Sequence, residues 1–402
     1  MSVAKSKRLF AVIAMLVMLA MTVTACGGNG DADGGDGDTA DLVEVKIGVS
    51  SPFTGDVAAL GTGIRNGAQL AIEEAAPELE EMGIKLTMLA VDDAADPKAG
   101  VNAANQMVSD SAVVGVVAHL NSGVSIPTSS VYNEAGVVQV SPASTNPALT
   151  LQGFENVFRV CTIDTVQGSF AAEYAYDELG LTSVAVIDDS TPYGEGLAAE
   201  FADAFEAKGG TVTSKDKVQV KDQDFTALVT KIRSDSPDLI YFGGMYTEAA
   251  LVSKQSKEAG FEGPTMGGDG LYTQQFVDIA GAANAEGDFS TSIGLPLAEQ
   301  PKGQEFTDMF ETTFPGQTIE AYDTYAYDAA MVVVEAIKAV VADLGVEEVT
   351  SVAGKQAIIE AVAATNMQGV TGTVSFDENG DTTNKAVTPY VVRDGAWVPY
   401  TN

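Results

Sequence analysis

The chain has 402 residues, room for a leader and two ordinary domains, and 46% of them are apolar, as expected of a well-cored protein. Its 56 acidic residues outweigh 21 basic ones, for a formal net charge of −35 at pH 7. That balance disfavours nucleic acid and anionic membrane surfaces as partners, and the single histidine excludes any multi-histidine metal site.

In chain order, Lys5, Lys7 and Arg8 precede an apolar run from Leu9 to Val23 that ends in Val23-Thr24-Ala25-Cys26. A basic patch, a short apolar run and a small residue before the cleavage point describe a secretory signal over residues 1–25. The run is short for a membrane-spanning helix. Its ending resembles the bacterial lipobox, which implies a lipid on the Cys26 thiol. Residues 26–42 follow as a glycine-aspartate tract that buries nothing and repels itself, so a disordered tether is expected. The tract does not meet the EF-hand calcium pattern. With Cys26 lipidated, Cys161 stands alone and no internal disulfide forms.

Val43 to Val49 alternates as a strand. A Gly/Pro loop from Ser50 to Gly61 then enters a helix at Gly63, and the glycines read as a flexible entry. A strand from Ile84 to Val91 is followed by a helix with Asp96 as N-cap and Pro97 at its first position. Ala112 to Ala118 is a strand, Ser125 to Glu134 a helix and Gly136 to Val140 a strand. The alternation restarts with helices at 167–179, 194–208, 224–234 and 247–259, and strands at 183–187, 211–220, 239–242 and 264–268. A short helix over 272–280 comes next. Helices near 303–313, 322–344 and 354–363 lead to a hairpin-like end through Thr373 to Asp381. Two consecutive α/β runs predict two similar lobes, each a parallel sheet covered by helices.

Catalytic motifs are missing from the sequence. It contains no Cys-x-x-Cys, His-Glu-x-x-His, Gly-x-Ser-x-Gly or Walker lysine pattern. Gly61-Thr-Gly-Ile-Arg-Asn-Gly67 approaches a dinucleotide fingerprint, but its third glycine is one place late and the preceding loop is too long. His119 reads as a satisfied strand-end residue. Binding chemistry is better represented. Ser122 lies between a strand end and a helix start, where free N–H groups and partial positive charge suit a carboxylate. Ser141-Pro-Ala-Ser-Thr145 follows the neighbouring strand and offers hydroxyls and amides. Asp269 follows a second-lobe strand on a glycine-rich end and suits an ammonium.

Taken together with Asp92-Asp-Ala-Ala-Asp-Pro-Lys98, Tyr193-Gly-Glu-Gly-Leu197, Tyr241-Phe-Gly-Gly244 and Tyr325-Ala-Tyr-Asp328, these segments resemble the branched-chain amino-acid binding proteins of ABC importers. The likeness runs over essentially the whole mature length. It implies a type I periplasmic-binding fold: two Rossmann-like lobes, three crossovers near Val160, Ser292 and Gly372, and a cleft that closes on the ligand. Lobe 1 would comprise 43–160 and 293–371, and lobe 2 161–292 and 372–402. By the same resemblance Ser122, Ala143, Ser144 and Thr145 hold the α-amino-acid head group. Asp269 meets the ammonium and Tyr193 closes over it.

The departures concern the side-chain half of the cleft. Ala95 and Asn121 stand where the family has a disulfide pair. Asp269 replaces a longer glutamate. Leu60 and Met245, with Tyr246 beside it, replace aromatics. Glu320 falls where the family has a phenylalanine and otherwise reads as a surface glutamate just before a helix. The implied partners are an amino acid and a membrane permease with its cytoplasmic ATPases, and the chain would be an exported monomer tied to the membrane only by lipid. No cofactor and no catalysis are expected. Alternatives are another amino acid or small amide as ligand, or a sensing subunit without transport.

Overall fold

The computed structural model describes residues 42–400. The expected leader, Cys26 and the tether up to Asp41 lie outside those residues. The first sheet holds β1 (Val43–Ser51), β2 (Ile84–Asp92), β3 (Val113–Ala118), β4 (Val138–Ser141) and β5 (Val157–Arg159). Its order is β2-β1-β3-β4-β5, and every pairing is parallel. The second sheet holds β6 (Ser183–Asp188), β7 (Thr211–Lys217), β8 (Leu239–Gly243), β9 (Thr265–Gly267) and β10 (Phe289–Ile293). These five repeat the first order, read β7-β6-β8-β9-β10. After the small hairpin of β11 (Asn366–Gln368) and β12 (Thr373–Ser375), β13 (Val387–Arg393) and β14 (Ala396–Pro399) extend the second sheet by antiparallel pairing.

The helices connecting these strands are α1 (Ala58–Glu81), α2 (Pro97–Val108), α3 (Ser122–Glu134), α4 (Asp164–Glu173), α5 (Pro192–Ala207), α6 (Thr226–Asp235) and α7 (Tyr246–Glu258). Then come α8 (Gln274–Ala280), α9 (Ala282–Ala285), α10 (Gly303–Thr313), α11 (Asp323–Leu344) and α12 (Val352–Ala363). Strand β3 is Val-Val-Gly-Val-Val-Ala and buried throughout, the run expected of a parallel strand covered on both faces. Helix α11 packs on this sheet and on α1, burying Ala326, Ala330, Val333, Ile337 and Val340 along one stripe. Gly115 lets it come close, because a Cβ there would stand 2.7 Å from Val333 Cγ1. Asp96 caps α2 as expected, its side chain accepting from the N–H groups of Lys98 and Ala99.

Several elements differ from expectation. Helix α1 starts at Ala58, so Gly61 and Gly63 lie inside it. They are points of close packing: a Cβ on Gly61 would meet the Pro52 carbonyl oxygen at 2.0 Å, and one on Gly63 would meet Asp323 Oδ1 at 1.9 Å. Strands β5, β10, β13 and β14 are short or closely follow loops, and sequence periodicity did not mark them. The hairpin expected through Thr373–Asp381 is instead β11 against β12, with β13–β14 as the closing hairpin. The chain is still against the first sheet at Asp381: the Arg159 amide donates to the Gly380 carbonyl and Arg159 bridges Asp381. Its last passage to the second sheet therefore falls after Asp381, beyond Gly372.

Candidate ligand-binding cleft

In open α/β sheets ligands sit beyond the carboxyl ends of the strands. Here the carboxyl ends of the two sheets face each other. Hydrogen bonds between them include Asn146 Nδ2 to the Pro192 carbonyl at 2.6 Å, the Tyr246 hydroxyl to the Asp56 carbonyl at 2.6 Å, and the Tyr322 hydroxyl to Asp269 Oδ2 at 2.8 Å. The first link joins the loop after β4 to the start of α5, the second the start of α7 to the loop after β1. The third joins the residue before α11 to the loop after β9.

On the first-sheet side Ser122 opens α3. The preceding Asn121 side chain caps none of the helix's first amides; its carbonyl accepts from those of Val124 and Ser125, so an anion would meet the amides of Ser122 and Gly123. The Ser122 hydroxyl oxygen accepts from the Asn146 amide at 3.3 Å, so its own proton is available to donate. Ala143 and Thr145 are buried beside it, and Thr145 Oγ1 has no partner in hydrogen-bond geometry. A buried hydroxyl without a partner is costly unless something arrives to satisfy it. Ser144 faces the other way. Its hydroxyl contacts Ser125 Oγ at 2.6 Å and the carbonyls of His119 and Leu120, which removes that side chain from the head-group set.

On the second-sheet side the Tyr193 hydroxyl donates to Asp269 Oδ1 at 2.8 Å and accepts from the Gly270 amide. Asp269 is 1% exposed. Burial raises its carboxyl above the ordinary range, and the hydroxyls of Tyr322 and Tyr193 with Gln167 hold that rise back. Its reach is set by two tyrosines, one from each side of the cleft. The sequence reading missed Tyr322, since a tyrosine before a helix has no motif. The same holds for Asn146, and for Asp164 at the start of α4, whose surroundings are assembled only by the fold.

A cavity of about 420 Å³ opens beside these groups, bounded by Val57, Ala95 and Asn121 on one side and Tyr193, Met245 and Thr247 on the other. The fold thus brings Ala95 and Asn121 to one wall and Met245 to the wall opposite. Tyr246 is 3% exposed, and Leu60 is fully buried in the first turn of α1. Ser122, Thr145 and Asp269 are buried and do not line this cavity. Glu320 is half-buried and does not line this cavity. It borders a separate shallow groove with Gly63, Asn66 and Gln317. Burial raises its carboxyl, the Thr273 hydroxyl across the cleft tempers the rise, and its charge reaches Tyr246.

His119 is fully buried, with Nδ1 2.7 Å from Asp93 Oδ2 and Nε2 3.1 Å from the Tyr132 hydroxyl, a satisfied strand-end residue as expected. No group of acids, histidines and cysteines among the described residues is arranged to hold a metal.

The sequence model of the family described as periplasmic binding protein matches residues 44–396. A Leu/Ile/Val-binding protein homolog of Brucella abortus is 35% identical over 355 residues, which is 87% of this chain and 90% of that protein. A leucine-binding protein of Thermotoga maritima, solved by crystallography, superposes with a TM-score of 0.80 at 31% identity, covering 89% of this chain and 98% of that one. The branched-chain amino-acid transporter substrate-binding protein of Streptococcus pneumoniae, solved with isoleucine, gives a TM-score of 0.77 at 25% identity over 89% of this chain and 100% of that one.

Proposed function

Because the chain belongs to the periplasmic binding protein family, we propose that it is the exported receptor of an ABC-type amino-acid importer, with an aliphatic or branched-chain amino acid as its ligand. The observation that carries this reading is the unpartnered, fully buried Thr145 hydroxyl at the junction of the two sheets, beside the uncapped start of α3. Ser122, the amides of α3 and the backbone from Ala143 to Thr145 take the carboxylate. Asp269 across the cleft takes the ammonium. Leu60, Met245 and Tyr246 bound the side chain, with Tyr193 closing over the ligand. In a water-excluded site, hydrogen bonds to charged groups are roughly twice as strong as neutral ones, so the head group supplies most of the grip. The ligand leaves unchanged, and the closed form docks on a membrane permease driven by cytoplasmic ATPases. The receptor acts as a monomer held by a lipid on Cys26 at the outer face of the cytoplasmic membrane.

A melting screen over the common amino acids tests the reading. Ligand at about 100 times its Kd adds about 2.7 kcal/mol to the folded state, a shift of several degrees. Leucine, isoleucine or valine should produce it. No shift with any amino acid would reject the receptor reading. A second specificity has one observation in its favour, the half-buried Glu320. If it reaches the ligand, glutamine or arginine will shift the melt further than leucine does.

A further inference from the structure

We infer that Arg159 is a positioning residue for the head-group site: its guanidinium fixes the shape of the loop that carries Thr145 and ties that loop to two of the passages between the sheets. The inference rests on the amino-acid reading of the cleft. Arg159 is the last residue of β5, is fully buried and does not line the cavity. Its Nη1 donates to the carbonyls of Ser144 at 2.7 Å and Asn146 at 2.9 Å, one on each side of Thr145. Nη2 donates to Thr150 Oγ1 at 2.7 Å, and Nε to Asp381 Oδ1 at 2.6 Å. The carbonyl of Thr145 itself accepts from the Asp164 amide at 3.0 Å.

Three consecutive carbonyls are therefore held from behind, and the peptides between them have little freedom to turn. The side chains flanking Thr145 are engaged as well. The Ser144 hydroxyl is occupied by Ser125 and the carbonyls of His119 and Leu120, and Asn146 Nδ2 by the Pro192 carbonyl across the cleft. Thr145 Oγ1 is what this clamp leaves over, buried and unpartnered. A planar fork suits the arrangement, because the four bonds leave three nitrogens in fixed and different directions. A lysine ammonium has three donors on one atom and cannot serve two carbonyls, a hydroxyl and a carboxylate at once.

Stability alone is a poor reason to bury such a group. A buried ion pair is often no better than apolar packing of the same volume, since desolvation consumes the attraction. What the pair adds is connection. Arg159 stands where the chain leaves the first sheet, and its amide donates to the Gly380 carbonyl at 3.0 Å. Asp381 precedes the last passage to the second sheet, and its Oδ1 also accepts from Thr150 Oγ1 at 2.9 Å. Movement of two lobes is absorbed in connecting residues of this kind. The head-group loop is thus anchored to the frame about which the cleft closes, and it keeps its shape while the cleft opens.

Calorimetry with leucine, isoleucine and valine on a double-mutant cycle of Arg159 and Thr145 tests the assignment. Arg159→Lys keeps a cation beside Asp381 but loses the fork. It should weaken leucine by about 10-fold or more, the lower end of the range for one hydrogen bond to a charged group. Isoleucine and valine should lose the same factor, since the head group is common to all three. Combined with Thr145→Ala, the two losses should fall well short of their product, because Arg159 acts through the loop that Thr145 occupies. Asp381→Asn keeps the shape of the anchor and removes its charge. It should give a smaller loss with the same shortfall, and it carries the test if Arg159→Lys does not fold. Wild-type affinity in the variant, losses that multiply, or a factor that differs among the three ligands each overturns the assignment and leaves the receptor reading standing. If the wild-type protein binds none of the three, the aliphatic receptor reading falls and this one with it.

Discussion

Ser122 and Thr145 are short side chains, and their value lies in how they are held. Ser122 is fixed by the first turn of α3 and by the Asn146 amide, and Thr145 is fully buried with nothing to satisfy its hydroxyl. Neither has to be ordered when a ligand arrives, so little conformational entropy is lost at that step. Replacing either with alanine should weaken the amino-acid ligand by about 1.5–3 kcal/mol, roughly 10- to 150-fold in Kd. Calorimetry showing wild-type affinity in both variants would refute the assignment. At this scale the sequence placed Ser122, Thr145 and Asp269 just beyond strand ends, where the fold has them. It was unreadable for Asp164 and Tyr322. Tyr322 meets Asp269 across the cleft and Asp164 is buried beside Thr145 only in the folded chain, and local sequence encodes neither contact.

Helix α1 shows the same limit in one element. Glycine is a poor helix former and a common loop residue, so Gly61, Gly63 and Gly67 read locally as a flexible entry. The helix nevertheless runs from Ala58 to Glu81, because each glycine is a place where α1 must touch its neighbour's backbone or a buried acid. A Cβ on Gly67 would stand 2.0 Å from the Asp323 carbonyl oxygen at the start of α11. Gly67→Ala gains helix propensity and still should destabilise the fold by about 1–3 kcal/mol, since backbone cannot move aside as a side chain can. A denaturant titration with an unchanged midpoint would show that α1 and α11 are packed more loosely than this. Asp96-Pro97 at the start of α2 is the opposite case. Cap and proline act within a few residues, and sequence alone placed that helix start correctly.

For the whole molecule the dominant fact is charge. With 56 acidic against 21 basic residues, the folded surface repels itself. Salt shortens the screening length from about 10 Å at 0.1 M to about 3 Å at 1 M. The melting temperature should therefore rise between about 0.1 and about 1 M sodium chloride. A flat or falling curve would mean that self-repulsion contributes little to its stability. The sequence by itself determined the alternation of strands and helices, the doubling of that alternation, and the segments that end at the cleft. Those properties follow from hydrophobic period, turn residues and capping, all of which act within one element. Only the tertiary structure decided that both sheets share one strand order, that the chain reaches Asp381 before its last passage, and that Asp164, Thr145, Tyr193, Tyr322 and Asp269 converge. Those five residues are spread from position 145 to position 322, and their convergence is set by how the two sheets and α11 pack. Packing of distant elements, with the burial that strips water from their polar groups, is a property of the assembled molecule and of no single stretch of it.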